Sequence, residues 1–242
     1  MLVAFIIPII VLFFSFLLKS ASGPYWQFPD PSYGYIISSL SLVRGFSLIF
    51  NYHPGTSLTI LSGLVIYLLN LGHSITATVH NVLINPDFYL NVINIILIIF
   101  VFWASSFLGV FIYRQTNDKF AVVLSQLPIL SFLFLRSYSF YDYVLPIVTN
   151  VSPEPLLISV AVLFNLFFLK LYFAKSPKEE LWMTLWLGFI CALGITTRLT
   201  FSPCILLPLL LTKGRLKLLF LGVTFLSCFL WTIPIIPLLV IT

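Results

Sequence analysis

Eight apolar runs cover most of this chain, at about 2–18, 55–71, 89–113, 120–136, 154–173, 181–196, 201–212 and 216–240. A helix needs about 20 apolar residues to cross the hydrocarbon core of a bilayer. Runs this frequent leave little polar surface for a soluble fold. Only 8% of the residues are charged and 60% are hydrophobic, whereas a soluble domain carries about 25% charged residues. The fold class expected is therefore an all-α integral membrane protein, a single polytopic domain over 1–242. The 25 Phe and 11 Tyr suit lipid-facing surfaces and interfacial belts. The net charge of +5 does not point to nucleic acid, because the basic residues concentrate in short loops between apolar runs.

Those loops orient the chain. "YRQTNDK" (113–119), "KLYFAKSPKEE" (170–180) and "KGRLK" (213–217) are basic or mixed, and the positive-inside rule places all three in the cytoplasm. The segments around 19–54, 72–88 and 137–153 then lie outside. Run 89–113 must enter from outside, while run 2–18 most simply exits from inside. Run 55–71 between them therefore cannot cross alone. It opens on "HPG" and is interrupted by Gly63 and Asn70. The parity predicts about seven transmembrane helices plus a surface-lying helix at 55–71, within a first outer loop spanning 19–88. Irregular backbone at that depth is tolerated where protein or a wet cavity covers it. Runs 181–196 and 201–212 should form a pair turning near Thr197 and Arg198, and Pro234 and Pro237 should kink the last span.

Cys191, Cys204 and Cys228 all lie in apolar runs, with no CxxC or Cys/His spacing. Neither a disulfide framework nor a zinc site is expected. The opening "LVAFIIPIIVLFFSFLL" lacks a basic start, and "SASG" is a weak cleavage site, so it reads as an uncleaved first span. "NVS" at 150–152 has the form of a glycosylation acceptor but is followed by Pro153.

The remaining charges cluster on the other side of the expected membrane. Asp30, Arg44, His53, Asp87, Arg136, Asp142, Glu154 and Arg198 all map to outer loops or outer span ends. Ionisable groups near hydrocarbon are costly and usually face a cavity or a partner. Asp30, in "PDPSY", is either a solvated turn residue or a general base able to take a proton from an acceptor hydroxyl or amine. Glu154, in "NVSPEPLLI", suits the positive end of a helix N-terminus next to Pro155, and the same place would hold a functional acid. Arg44, Arg136 and Arg198 are either snorkelling side chains or phosphate ligands, since a guanidinium fork binds phosphate bidentately. His53 is an acid, base or phosphate ligand, or else a turn residue. Asp142 stands in the aromatic "SYSFYDY" (137–143), an interfacial belt or a platform for stacking sugars.

Asp30, Tyr33, Arg44-Gly45, "HPGTSL" and "SPEPLLI" together resemble the N-terminal half of GT-C type membrane glycosyltransferases, the bacterial relatives of protein O-mannosyltransferases and the aminoarabinose transferase. In that family an acid followed by Tyr lies in the first outer loop, an "HPP" or "HPG" turn opens the next helix, and a second acid begins a later span. The resemblance implies a GT-C module forming the N-terminal part of a longer transferase. It implies inverting transfer of a sugar from a polyprenyl-phosphate carrier to a lipid, glycan or protein acceptor. Asp30 and Glu154 would be the catalytic residues. Tyr33, Arg44, His53, Arg136, Asp142 and Arg198 would contact substrate. No cofactor is required by the sequence, no metal ligand set stands out, and a role for a divalent metal stays open. The implied place is the bacterial inner membrane, with the active face outside the cytoplasm. The alternatives are a transporter or lipid flippase without chemistry, whose mark would be inverted repeats and broken midplane helices, or an inactive fragment.

Overall fold

The structure is a computed structural model that describes residues 1–25, 32–46, 55–134, 136–138 and 144–233, with 136–138 and 144–147 described in backbone only. Helices account for nearly all of it. Five are long and apolar enough to cross a membrane: α1 (Val3–Ala21), α5 (Pro86–Thr116), α7 (Pro153–Tyr172), α8 (Pro177–Thr197) and α10 (Arg215–Thr232). Each answers to an apolar run. Large apolar side chains such as Phe13, Trp103, Phe107, Trp182 and Phe225 stand outward on them, as they would toward lipid rather than water.

Two of the seven expected spans take a different form. Run 120–136 becomes α6 (Lys119–Phe134), only 16 residues long, about 24 Å at 1.5 Å per residue. Run 201–212 becomes a 3-10 stretch over Leu199–Ile205 followed by the six-residue α9 (Leu206–Leu211). Pro203 lies within the 3-10 stretch and Pro208 within α9, and a proline lacks the N–H that an uninterrupted helix would use. Run 216–240 is described as far as Ile233, so the expected kink at Pro234 and Pro237 lies outside the described residues.

Contacts fix the direction of each pass. Gln126 of α6 donates through Nε2 to Ala4 O on α1 and Ser105 O on α5, while Tyr25, just after α1, donates to Leu90 O near the start of α5. Thus α1 runs antiparallel to α5. Asn94 of α5 donates through Nδ2 to Val148 O and Asn150 O just ahead of α7, so α5 and α7 start at the same end and α6 returns the chain between them. Arg198, capping α8, meets Glu154 in the first turn of α7, so α8 finishes where α7 starts. Along α8 and α10, Gly188 lies against Val223 and Cys228 Sγ is 4.0 Å from Ala192 O. The two indices rise together, so these helices are parallel and residues 199–211 return the chain.

The region 19–88 contains more helix than its polar composition predicted. Alongside α3 (Thr56–Leu69) it forms α2 (Ser32–Val43) and α4 (Ile75–Ile84). α4 starts at a conventional cap, where Ser74 Oγ accepts the Ala77 N–H at 3.2 Å. α3 does not run the length of the bundle. Near its start Ser57 Oγ is 2.7 Å from Thr196 Oγ1 at the end of α8, and just past its finish Asn70 Oδ1 accepts from Tyr89 Oη at the start of α5, at 3.2 Å. Both ends of α3 are therefore tied to one end of the bundle. Residues 136–138 (β1) and 144–146 (β2) pair as a short antiparallel hairpin, which the aromatic pattern had not announced.

α5 and α7 organise the core, because each contributes to both buried clusters. Ile93 and Leu97 pack with Leu58, Ile66, Phe164, Leu187 and Phe201, whereas Ile98 and Val101 pack with Ile7, Val11, Phe132 and Leu166. Between helices in lipid the attraction comes mainly from close van der Waals fit, so small residues mark the tight crossings. A Cβ on Gly188 would lie 3.1 Å from Phe220 O, and one on Gly109 would lie 3.1 Å from Ala4 Cβ.

Candidate functional site

The end of the bundle where α5 and α7 begin brings together several of the candidate functional side chains. Both helices start on proline at their first turn, with an acid in that same turn: Pro86 and Asp87 in α5, Pro153 and Glu154 in α7. Proline has no N–H to leave unsatisfied at this position. The carboxylates meet the positive end of each helix dipole, a favourable term of about 0.3–1 kcal/mol at exposed sites.

The start of α2 is wedged between these two helix starts. Ser32 Oγ accepts the Val151 N–H at 3.0 Å, just ahead of α7, and Tyr33 Oη donates to Asp87 Oδ1 at 3.1 Å. One dipeptide thereby joins segments 119 and 54 positions distant in sequence. Burial, the Asp87 hydrogen bond and the Asp87 charge together raise the Tyr33 phenol above its ordinary range, burial most of all. Deprotonating Tyr33 would lose the hydrogen bond and set two anions side by side, so it acts as a fixed donor.

Glu154 and Arg198 form an ion pair, Arg198 Nη2 donating to Glu154 Oε1. They are the only salt bridge among the described residues. Their side chains are 22% and 42% exposed, so the pair is neither desolvated in the core nor freely solvated. Arg198 Nε is buried without a partner. An orphan donor of this kind costs about 1–3 kcal/mol when nothing meets it, and a guanidinium carries five N–H donors, enough to hold a carboxylate and a second oxyanion together.

A second group of polar side chains lines the α1 side. Lys19 in the last turn of α1 places Nζ 3.4 Å from the centroid of the Tyr25 ring, a cation–π geometry. Tyr25 is itself buried and held by its bond to Leu90 O. Burial first, then the Asp87 charge, hold the Tyr25 phenol protonated well beyond its ordinary range. Beyond α3, Asn70 Oδ1 also accepts from Asn81 Nδ2 at 3.0 Å, and Asn70 Nδ2 donates to Ile66 O at 2.9 Å.

Set against the residues expected from sequence, this end brings together Tyr33, Glu154 and Arg198. It joins Glu154 to Arg198, which the sequence had assigned to separate tasks as an acid and a phosphate ligand. Arg44 is elsewhere. It follows α2, eleven positions beyond Tyr33, exposed, with its guanidinium carbon 4.9 Å from the Phe46 ring centroid. Asp30, His53 and Asp142 lie outside the described residues, and Arg136 is described in backbone only. The sequence reading missed Lys19, Tyr25 and the bond from Tyr33 to Asp87. A signal existed for Lys19, because a lone cation ends the first apolar run. Among the described residues, no three His, Cys, Asp or Glu side chains gather as a metal-ligand group.

Comparison with known proteins found no matching family model, no matching curated protein and no matching solved structure.

Proposed function

We propose that this chain is a GT-C type glycosyltransferase module with seven membrane passes and α3 as a surface helix. It would move a sugar from a polyprenyl-phosphate carrier to an acceptor outside the cytoplasm. The observation that carries the reading is the anchoring of α2. Two residues after Asp30, the chain is tied through Ser32 and Tyr33 to both acid-bearing helix starts. Asp87, Glu154 and Arg198 stand at the end to which Ser32 and Tyr33 are tied.

In this reading Asp30 takes the proton of an acceptor O–H or N–H as the acceptor atom attacks the anomeric carbon. The bond from that carbon to the phosphate oxygen breaks, and polyprenyl phosphate leaves with the electron pair. Configuration inverts in this single displacement. Charge develops on the departing phosphate, where fixed cationic donors contribute most to rate. Arg198 suits that task, being held by Glu154 with donors to spare, and Glu154 becomes a positioning residue. Arg136, Arg44 and His53 remain proposed phosphate or sugar contacts, with Tyr33 and Asp142 on the sugar side. Proline on either side of Asp30 narrows its backbone freedom.

One observation favours the flippase reading. Residues 199–211 form a broken apolar segment beside α8, the kind of interruption found where transporters hold cargo. The two readings separate in one assay. In proteoliposomes fed polyprenyl-phosphate hexoses together with lipid, glycan and peptide acceptors, a transferase releases polyprenyl phosphate and a flippase does not. For the transferase, Asp30→Asn should cut release by about 10²–10⁴-fold, the usual contribution of a general base. A loss smaller than about tenfold would reduce Asp30 to a turn residue.

A further inference from the structure

A groove of about 440 Å³ runs between the end of α1 and the start of α5, lined by Phe16, Lys19, Tyr25, Asp87, Asn91 and Ile95 among others. It carries a cation on one wall and a carboxylate on the other. These do not pair: among the described residues the only salt bridge is that of Arg198 with Glu154. Each charge is instead held on its own wall. Lys19 is fixed over the Tyr25 ring, and Tyr33 fixes Asp87 through Oδ1 alone. Opposite charges held apart on two walls of one half-buried groove suit a ligand that carries both signs and lies between them.

The depth of the groove narrows the choice. Lys19 is in the last turn of α1 and Asp87 in the first turn of α5, the level at which a spanning helix leaves hydrocarbon. Phe16 and Ile95 lie further along the same two helices, and both are exposed. The wall is therefore charged at the helix ends and apolar below, the same order as a phospholipid from headgroup to chain.

We propose that this groove binds the headgroup of a phosphoethanolamine lipid, its phosphate toward Lys19 and its ammonium toward Asp87, with the chains against Phe16 and Ile95. An ammonium with N–H donors makes a charge-assisted hydrogen bond to a carboxylate, which a quaternary choline cannot make. A phosphoglycerol headgroup carries no cation for Asp87. The groove adjoins the proposed transferase site through Tyr33 and Asp87, yet it holds whether or not sugar transfer occurs, because its readout is lipid retention and not turnover.

The test is native mass spectrometry of the delipidated full chain given equimolar phosphatidylethanolamine, phosphatidylcholine and phosphatidylglycerol. The wild-type competition needs no variant. Phosphatidylethanolamine should be retained about tenfold over each competitor, the size expected of one charge-assisted hydrogen bond. Asp87→Asn should erase the preference over both competitors, and Lys19→Gln should weaken retention of all three phosphate-bearing headgroups together. Circular dichroism checks that each variant keeps its helices. Equal retention of the three lipids by wild type overturns the proposal, as does a folded Asp87→Asn variant that keeps the preference.

Discussion

The two ends of the bundle are built differently. Where α5 and α7 begin, side-chain bonds join positions far apart in sequence: Ser32 to Val151, Tyr33 to Asp87, Glu154 to Arg198, Asn94 to Val148 and Asn150. Where α5 ends and α8 begins, the side-chain bonds are local. Ser176 Oγ accepts the Glu179 N–H, Asp118 Oδ1 accepts the Phe120 N–H, and Glu179 Oε2 accepts the Lys175 N–H. Gln126 is the long-range bond nearest that second end, and it sits inside the bundle rather than in a loop. Local caps end helices and turn the chain. Ties between distant segments fix side chains from several elements in one place, and holding such a constellation rigidly is what a binding or catalytic site requires. The first end is held together as one unit, and the second is a set of connections.

Substitutions at each end should reflect the contrast. The largest effect on stability is expected at Gly194 of α8, where an added Cβ would press into the Phe201 ring, itself packed edge-on to Phe164 with centroids 5.7 Å apart. Gly194→Ala should cost about 2–3 kcal/mol through overpacking. Gly222→Ala, which meets nothing within 4 Å, should change stability by less than about 0.5 kcal/mol or raise it. Thermal unfolding of the two variants in one detergent compares them, and equal melting temperatures would break the account of the α8 and Phe201 crossing.

A smaller difference is expected between a distant tie and a local cap. Asn94→Leu strips two carbonyls of their shared donor inside the bundle and should cost about 2 kcal/mol. Ser176→Ala removes one helix cap and should cost about 1 kcal/mol. Amide hydrogen exchange over the 144–152 region sharpens the comparison, because only the Asn94 variant should loosen it. If the Ser176 variant loosens that region equally, the two ends are not independent.

Much of this fold is legible in the amino-acid order, for physical reasons that can be named. The five spanning helices coincide with long apolar runs, because a helix in lipid must be apolar along its whole length. α2 is hidden because "SYGYIISSLSLV" reads as a polar loop. Its serines turn inward instead, Ser39 Oγ donating to Thr59 O of α3 at 3.0 Å. Hydropathy cannot tell a solvated serine from one bonded to a neighbouring helix. The broken form of 199–211 is signalled by Pro203 and Pro208 but outweighed by the apolar residues around them. Glu154 and Arg198 each stand out, yet 44 positions separate them and no periodicity joins them. Their pairing comes only from the antiparallel packing of α7 on α8.

The transferase and lipid-site proposals both depend on the two ends facing opposite sides of a membrane. His73, just past the Asn70 tie at the first end, and Lys178, in the first turn of α8 at the second, are both exposed. Each is replaced by cysteine in a background with Cys191, Cys204 and Cys228 removed, and intact cells are treated with a membrane-impermeant maleimide. The account predicts that the cysteine at 73 labels at once and that at 178 only after the membrane is opened. Labelling of both from the same side would contradict it.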